Sequence, residues 1–287
     1  MKIKHILFPV DFSPRSLATV PHVTAAARRF GAAVTLLHLV EIPALAYGPV
    51  ETLAFPALQP AALKTRAEEM MDRFAEAEFE GLRARRVVET GDPAVCIAAL
   101  AQDWDIDLIM MPTRGRGVFR AALLGSIASK VLHDARCPVW TAAHAGEPAP
   151  AKHVDWRNIV CAVGLSPASA SLLRVAEDLH DTLGAAIRVV HVVPGEEAFP
   201  QRLMDQEFEN SLRERAIETI RGLQGEEAMN FEVAVESGDI SRAVADYARE
   251  VDADLLLVGR GRNRGRGGLR SHTYGIIRDA DCPVLSI

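Results

Sequence analysis

His5-Ile6-Leu7-Phe8-Pro9-Val10-Asp11-Phe12-Ser13-Pro14 returns later in the chain as Asn158-Ile159-Val160-Cys161-Ala162-Val163-Gly164-Leu165-Ser166-Pro167, a displacement of 153 residues. At the same displacement Val34–Val40 (VTLLHLV) comes back as Ile187–Val193 (IRVVHVV). Val88–Asp92 matches Val235–Asp239 at 147 residues, and Cys137-Pro138-Val139 matches Cys282-Pro283-Val284 at 145. The order is kept and only the connections shorten, so a whole folding unit is repeated. This divides the sequence into homologous domains at 1–143 and 156–287, with a small-residue, proline-containing linker at 144–155.

Within each copy, short runs rich in Val, Ile and Leu alternate with longer segments of helical period, the pattern of strand-helix-strand units. The runs at 5–10, 34–40, 84–89, 106–112 and 138–142 are nearly continuous in apolar residues or only weakly alternating, which predicts that most are strands covered on both faces. Leu63, Ala67, Met70, Phe74 and Ala77 form one helical stripe, and Leu172, Ala176, Leu179 and Leu183 another. Ser13-Pro14, Asp92-Pro93 and Ser166-Pro167 each place a capping oxygen before a proline whose missing N–H costs nothing at a helix start. Pro21 falls inside the first helix and should bend it. The fold expected is α/β: two homologous doubly wound, Rossmann-like domains, each a five-stranded parallel sheet flanked by helices.

The 287 residues are 49% hydrophobic and 24% charged, an ordinary globular composition that excludes a disordered or fibrous chain. A formal net charge of -6 gives no general reason to bind nucleic acid or an anionic membrane, so any anion site must be local. Four dispersed cysteines, none in a CxxC pair, fit neither a disulfide framework nor a zinc site and suit a reducing cytoplasm. The opening apolar run ends at Pro9, too short for a signal-peptide core, and no stretch reaches the ~20 apolar residues of a membrane span.

Open parallel sheets bind ligands beyond the carboxyl ends of their strands. That places a candidate site at Pro9, Val10 and Asp11 after the first strand, Leu39 and Val40 at the end of the second, and the loop after the fourth. This loop begins Pro112-Thr113-Arg114-Gly115-Arg116-Gly117 and reaches Gly125-Ser126-Ile127, where a helix starts. Glycine permits close backbone approach, and a helix start offers unpaired N–H groups and the positive end of a dipole to a phosphate. Arg114 and Arg116 add positive charge.

Together ILFPVDFSP, VTLLHLV, VETGDP and GRGVFRAALLGSIASKVLHDARCPVW resemble the universal stress protein family in its tandem form, over essentially the whole chain. Nucleotide-binding members of that family carry a glycine, two residues, a glycine, nine residues and then Gly-Ser or Gly-Thr. Gly115, nine residues and Gly125-Ser126 keep this spacing, while Pro112 stands at the first glycine. The resemblance implies a cytoplasmic stress-response protein that binds ATP, or ADP or AMP, with Mg2+ or Mn2+ held mainly by phosphates and water. It implies Asp11 on the ribose, Leu39 or Val40 on the adenine, Gly115 and Gly125 approaching the phosphates, and Ser126 bonding a phosphate oxygen. Pro112 has no N–H to give and should weaken the ribose contact. In the second copy Asp11 has become Gly164, Arg262 replaces the second glycine, and Arg270-Ser271 replaces Gly-Ser, so that copy is expected not to bind ATP in this manner.

Other residues carry plainer readings. His38 and His191 hold the same place in their strands and suit hydrogen-bonded core histidines, while Cys137 and Cys282 suit packing. Glu68, Glu69, Asp72, Glu76 and Glu80 form the wet face of a helix. No GxSxG, Walker lysine or HExxH motif is present, so slow ATP hydrolysis is the most that is expected, with no catalytic residue assigned. The apolar final strands need partners, which predicts close packing between domains or a homodimer. The alternative to a nucleotide-dependent switch is a nucleotide-free scaffold or sensor, using the second domain or its Arg260–Arg270 basic loop for a lipid or an acidic partner.

Overall fold

A computed structural model describes residues 1–41, 60–115, 123–143, 154–195, 206–224, 231–260 and 269–287. The first half runs β1 (His5–Pro9), α1 (Pro14–Phe30), β2 (Ala33–Val40), α2 (Pro60–Arg73), β3 (Ala84–Thr90), α3 (Pro93–Asp103), β4 (Leu108–Met111), α4 (Ser126–Asp134) and β5 (Val139–Thr141). The second runs β6 (Asn158–Ala162), α5 (Ala168–Leu183), β7 (Ala186–Val193), α6 (Gln206–Gln224), β8 (Glu232–Ser237), α7 (Ile240–Glu250), β9 (Leu255–Val258), α8 (Leu269–Asp279) and β10 (Val284–Ser286). Two compact units separate at Trp140/Thr141, with Met1 grouped with the second.

In the first half the strands lie in the order β3-β2-β1-β4-β5. Ile6 is in parallel register with both Val34 and Leu108. Consecutive residues Ile6, Leu7 and Phe8, and likewise Leu108, Ile109 and Met110, are fully buried. Strands buried on both faces have helices on both sides, which is why their sequences are continuous rather than alternating. The chain moves outward through β2 and β3, then returns to place β4 on the other side of β1, making β1 and β4 the switch point. The second half repeats this with β10-β9-β6-β7-β8, its pairs parallel. Among the described residues no helix is long and apolar enough to cross a membrane.

Local capping follows the expected rules twice and departs from them once. Ser13 accepts the N–H of Ser16 at 3.2 Å, and Asp92 accepts that of Ala94 at 2.8 Å. Ser166 does not cap α5, which begins only at Ala168 after Pro167 and has no side-chain cap. The stripe proposed for α2 also needs correction. Met71, 1% exposed, is the buried methionine, Met70 is 38% exposed, and the helix ends at Arg73 before Phe74 and Ala77. Ala75 lies at φ 47°, so the chain leaves the helix where no glycine or proline announces it. α1 continues through Pro21 to Phe30. The loop 42–59, the linker residues 144–153 and the basic residues 262–268 lie outside the described residues.

Candidate functional site

The end of β1 is built around one carboxylate. Asp11 Oδ1 accepts the N–H of Ser13 at 3.0 Å and the hydroxyl of Ser16 at 2.6 Å, while the Asp11 N–H donates to the Ser16 hydroxyl oxygen at 3.3 Å. Ser16 is fully buried, so this arrangement is fixed from inside. Phe12, between the acid and its donor, has φ 59°, a left-handed conformation that costs a non-glycine residue about 1–2 kcal/mol. Its ring lies 4.4 Å from His38 and edge-on to Phe74 at 5.8 Å, contacts that offset the strain. His38 Nδ1 donates to the Val10 carbonyl at 2.7 Å and ties β2 to the end of β1. This is the structural role expected for that histidine.

The loop after β4 arrives at the same carboxylate. A Cβ added to Gly115 would stand 2.5 Å from Asp11 Oδ2, so only glycine lets the backbone pass so close to this anchored acid. Gly125 N–H donates to the Thr113 carbonyl at 2.9 Å, and a Cβ on Gly125 would meet that oxygen at 3.1 Å and the Arg114 α-carbon at 3.4 Å. Residues 113 and 114 are thereby held against the start of α4. Gly125 is the N-cap and supplies no side-chain bond to the helix, leaving the first-turn N–H groups at Ser126 and Ile127 to another acceptor.

Exposure divides the sequence-predicted residues into two sets. Pro9, Val10, Leu39, Val40, Pro112 and Thr113 are buried, Leu39 and Val40 each at 7%. Asp11, Arg114, Gly115, Gly125, Ser126 and Ile127 are half-buried or exposed and form the accessible part. Arg116 lies outside the described residues. Sequence reasoning missed Arg15, at the second position of α1, whose charge together with burial holds the pKa of Arg114 below its ordinary value, burial being the larger cause. Thr113, one of the expected loop residues, is 1% exposed and its buried hydroxyl has no hydrogen-bond partner.

In the second half the equivalent groups satisfy one another. Ser169, the counterpart of Ser16, donates to the Gly164 carbonyl at 2.7 Å. Thr273 on α8 donates to the Gly259 carbonyl at 3.0 Å and ties the helix to the end of β9. His191 repeats the bond of His38, donating to the Val163 carbonyl at 2.9 Å. Cys282 is buried and its thiol is pushed up to about 12 by that burial, which keeps it protonated and suits packing, whereas Cys137 is half-buried.

Comparison with known proteins gives the kinship of both halves. The model of the universal stress protein family matches residues 2–142 and again 155–287. The chain belongs to the universal stress protein family. A universal stress protein of Methanocaldococcus jannaschii is 31% identical over 137 residues, covering 47% of this chain and 79% of that protein. One from Thermus aquaticus is 33% identical over 138 residues, covering 47% of this chain and 96% of the relative. Each relative therefore corresponds to about one half of this chain. A universal stress protein structure from Archaeoglobus fulgidus superposes over 98% of this chain and 95% of its own with a TM-score of 0.67 at 21% identity, a likeness of fold.

Proposed function

We propose that the first half is the ligand-binding half of a tandem universal stress protein, that its ligand is ATP or a related adenine nucleotide, and that binding sets a conformational or assembly switch in a cytoplasmic stress response. The observation that carries this is the convergence of Asp11 Oδ2 with the glycine backbone at 115, where a Cβ would stand only 2.5 Å from the acid. That glycine precedes an α4 N-terminus without a side-chain cap. An acid on one side and bare main-chain donors on the other suit a ligand with a polyol next to a polyanion.

In this reading Asp11 would hold the ribose, Gly115 and Gly125 would bring main chain to the phosphates, and Ser126 would add its hydroxyl. Pro112 removes one N–H that a glycine there would offer, so the ribose end is held by fewer groups. Bound phosphate supplies the negative charge that the first turn of α4 lacks. A ligand shifts a switch only by its differential affinity for two states, and a loop anchored to α4 by the Gly125–Thr113 bond is the element whose position it would bias. The second half is read as the degenerate partner, since Gly164 supplies no acid.

Calorimetry with ATP tests the reading. Wild type is expected to bind in the submillimolar range, Gly125→Val to abolish binding and Ser126→Ala to weaken it. Absence of heat with wild type overturns the nucleotide assignment and favours the nucleotide-free scaffold.

A further inference from the structure

The strands of the first half begin among cations. Ala33 N–H donates to the Lys4 carbonyl at 2.8 Å and Val34 N–H to the Arg83 carbonyl at 2.9 Å, so the starts of β1, β2 and β3 lie side by side. The end of α1 meets them there. The Arg28 guanidinium donates to the Glu78 carbonyl at 3.2 Å, and that of Arg83 to the Gly31 carbonyl at 2.5 Å. Arg85, in register with Thr35, stands over the Trp104 ring at 5.9 Å. Lys2, Lys4, Arg28, Arg83 and Arg85 are all exposed, and none forms an ion pair with another described residue. Glu78 and Glu80 are the acids of the turn before β3, and two acids do not balance five cations.

The second half builds the same edge with the opposite sign. Ala186 N–H donates to the Arg157 carbonyl at 2.7 Å, and Arg188 is in register with Glu232. The positions matching the five cations are Asp155, Arg157, Asp181, Asn230 and Glu232. Arg157 pairs with Asp155 at 3.2 Å, Asp181 is exposed, and Glu232 reaches Arg188 at 3.5 Å yet stays 73% exposed. Asp103, Asp105 and Asp107 recur as Glu250, Asp252 and Asp254, so those acids are common to both edges and do not set the contrast.

We propose that the basic edge at the strand starts of the first half docks on the acidic edge at the strand starts of the second half in another copy of this chain. Like charges crowded on one edge repel, and an edge of opposite sign relieves them while fixing the register of the contact. The two surfaces differ, so the contact is head-to-tail and one copy can hold a neighbour at each edge. Exposed ion pairs contribute little singly, which makes the association weak and sensitive to salt. The basic edge lies at the opposite end of the first-half strands from Asp11 and Gly115, so its docking does not depend on a ligand there.

The test is sedimentation velocity of the full-length chain without nucleotide, across protein concentration and in low and high sodium chloride. Wild type is expected to self-associate with a midpoint of about 100 μM at about 25 mM salt and to weaken at least about tenfold at about 300 mM. The basic-edge variant Lys2→Glu/Lys4→Glu and the acidic-edge variant Asp181→Lys/Glu232→Lys should each associate at least about tenfold more weakly than wild type when alone. Mixed in equal amounts they should recover to within about threefold of wild type, because the first keeps a native acidic edge and the second a native basic one. Far-UV circular dichroism identifies a variant that fails to fold, and Arg28→Glu then replaces the basic-edge pair. A wild type that stays monomeric, an association indifferent to salt, variants that associate like wild type, or a mixture that does not recover each overturns the inference.

Discussion

Ser16 and Ser169 stand at the same place in the two halves and their hydroxyls have different partners. In the first half the hydroxyl donates to the Asp11 carboxylate at 2.6 Å; in the second, where the acid is Gly164, it turns to the residue's own carbonyl at 2.7 Å. A second pair shows the same contrast: Ala128 at the start of α4 offers no hydroxyl, whereas Thr273 at the matching position of α8 binds the carbonyl at the strand end. One half gives its buried hydroxyl a carboxylate as partner, and the other gives it a main-chain carbonyl. Fold and site are thus separable, because the residues that build the sheet are not those that face its carboxyl edge.

The largest expected effect lies in the aromatic packing beneath the first site. Phe74 is 7% exposed and meets both Phe8 and Phe12. Phe74→Ala should cost about 3–5 kcal/mol, read by hydrogen exchange of the β1 amides. Leu165, the counterpart of Phe12, is 46% exposed, and Leu165→Ala should change exchange in β6 by less than about 0.5 kcal/mol. Comparable costs in both halves would erase the contrast.

Next in size, Asp11→Gly should convert the first site into the second. ATP affinity is expected to fall about 10- to 100-fold by calorimetry. Exchange protection of α1 should hold, since the Ser16 hydroxyl then has the residue-11 carbonyl as acceptor. Loss of α1 protection would mean that the acid is structural. Thr273→Ala removes the hydroxyl bond to the Gly259 carbonyl and installs the residue that the first half already has; α8 should lose about 1 kcal/mol of protection.

Acidification gives the smallest effect. Burial lowers the pKa of His5 from the ordinary 6.5, against an opposing contribution from Asp107. The unfolded chain therefore takes up the proton first, so the stability tied to neutral His5 is present above about pH 6.5 and is lost as pH falls through the lowered value. Its counterpart is Asn158, which does not titrate. Exchange in β1 should quicken relative to β6 between pH 7 and 5.5, and His5→Asn should remove the difference.

Much of this was legible in the chain. The repeat fixed two α/β units because residues such as Ile6–Phe8 and Leu108–Met110 are buried on both faces and so cannot alternate. Asp11, Gly115 and Gly125-Ser126 were readable because close approach and helix starts demand particular residue types. Ser166 misled because a Ser-Pro pair caps a helix only when the preceding backbone is held for it, as the Asp11 carboxylate holds Ser13. The exchange of Met70 for Met71 came from a helix that ends before its stripe does. Arg15 was invisible for another reason: its relation to Arg114 is one of space, and no spacing along the chain encodes it.

The alternative acceptor available to Ser169 has an evolutionary consequence. Erasing the acid strands no buried hydroxyl, so a duplicated gene could abandon ligand chemistry in one copy without harming that copy's folding. Selection for shape alone would not register such a substitution.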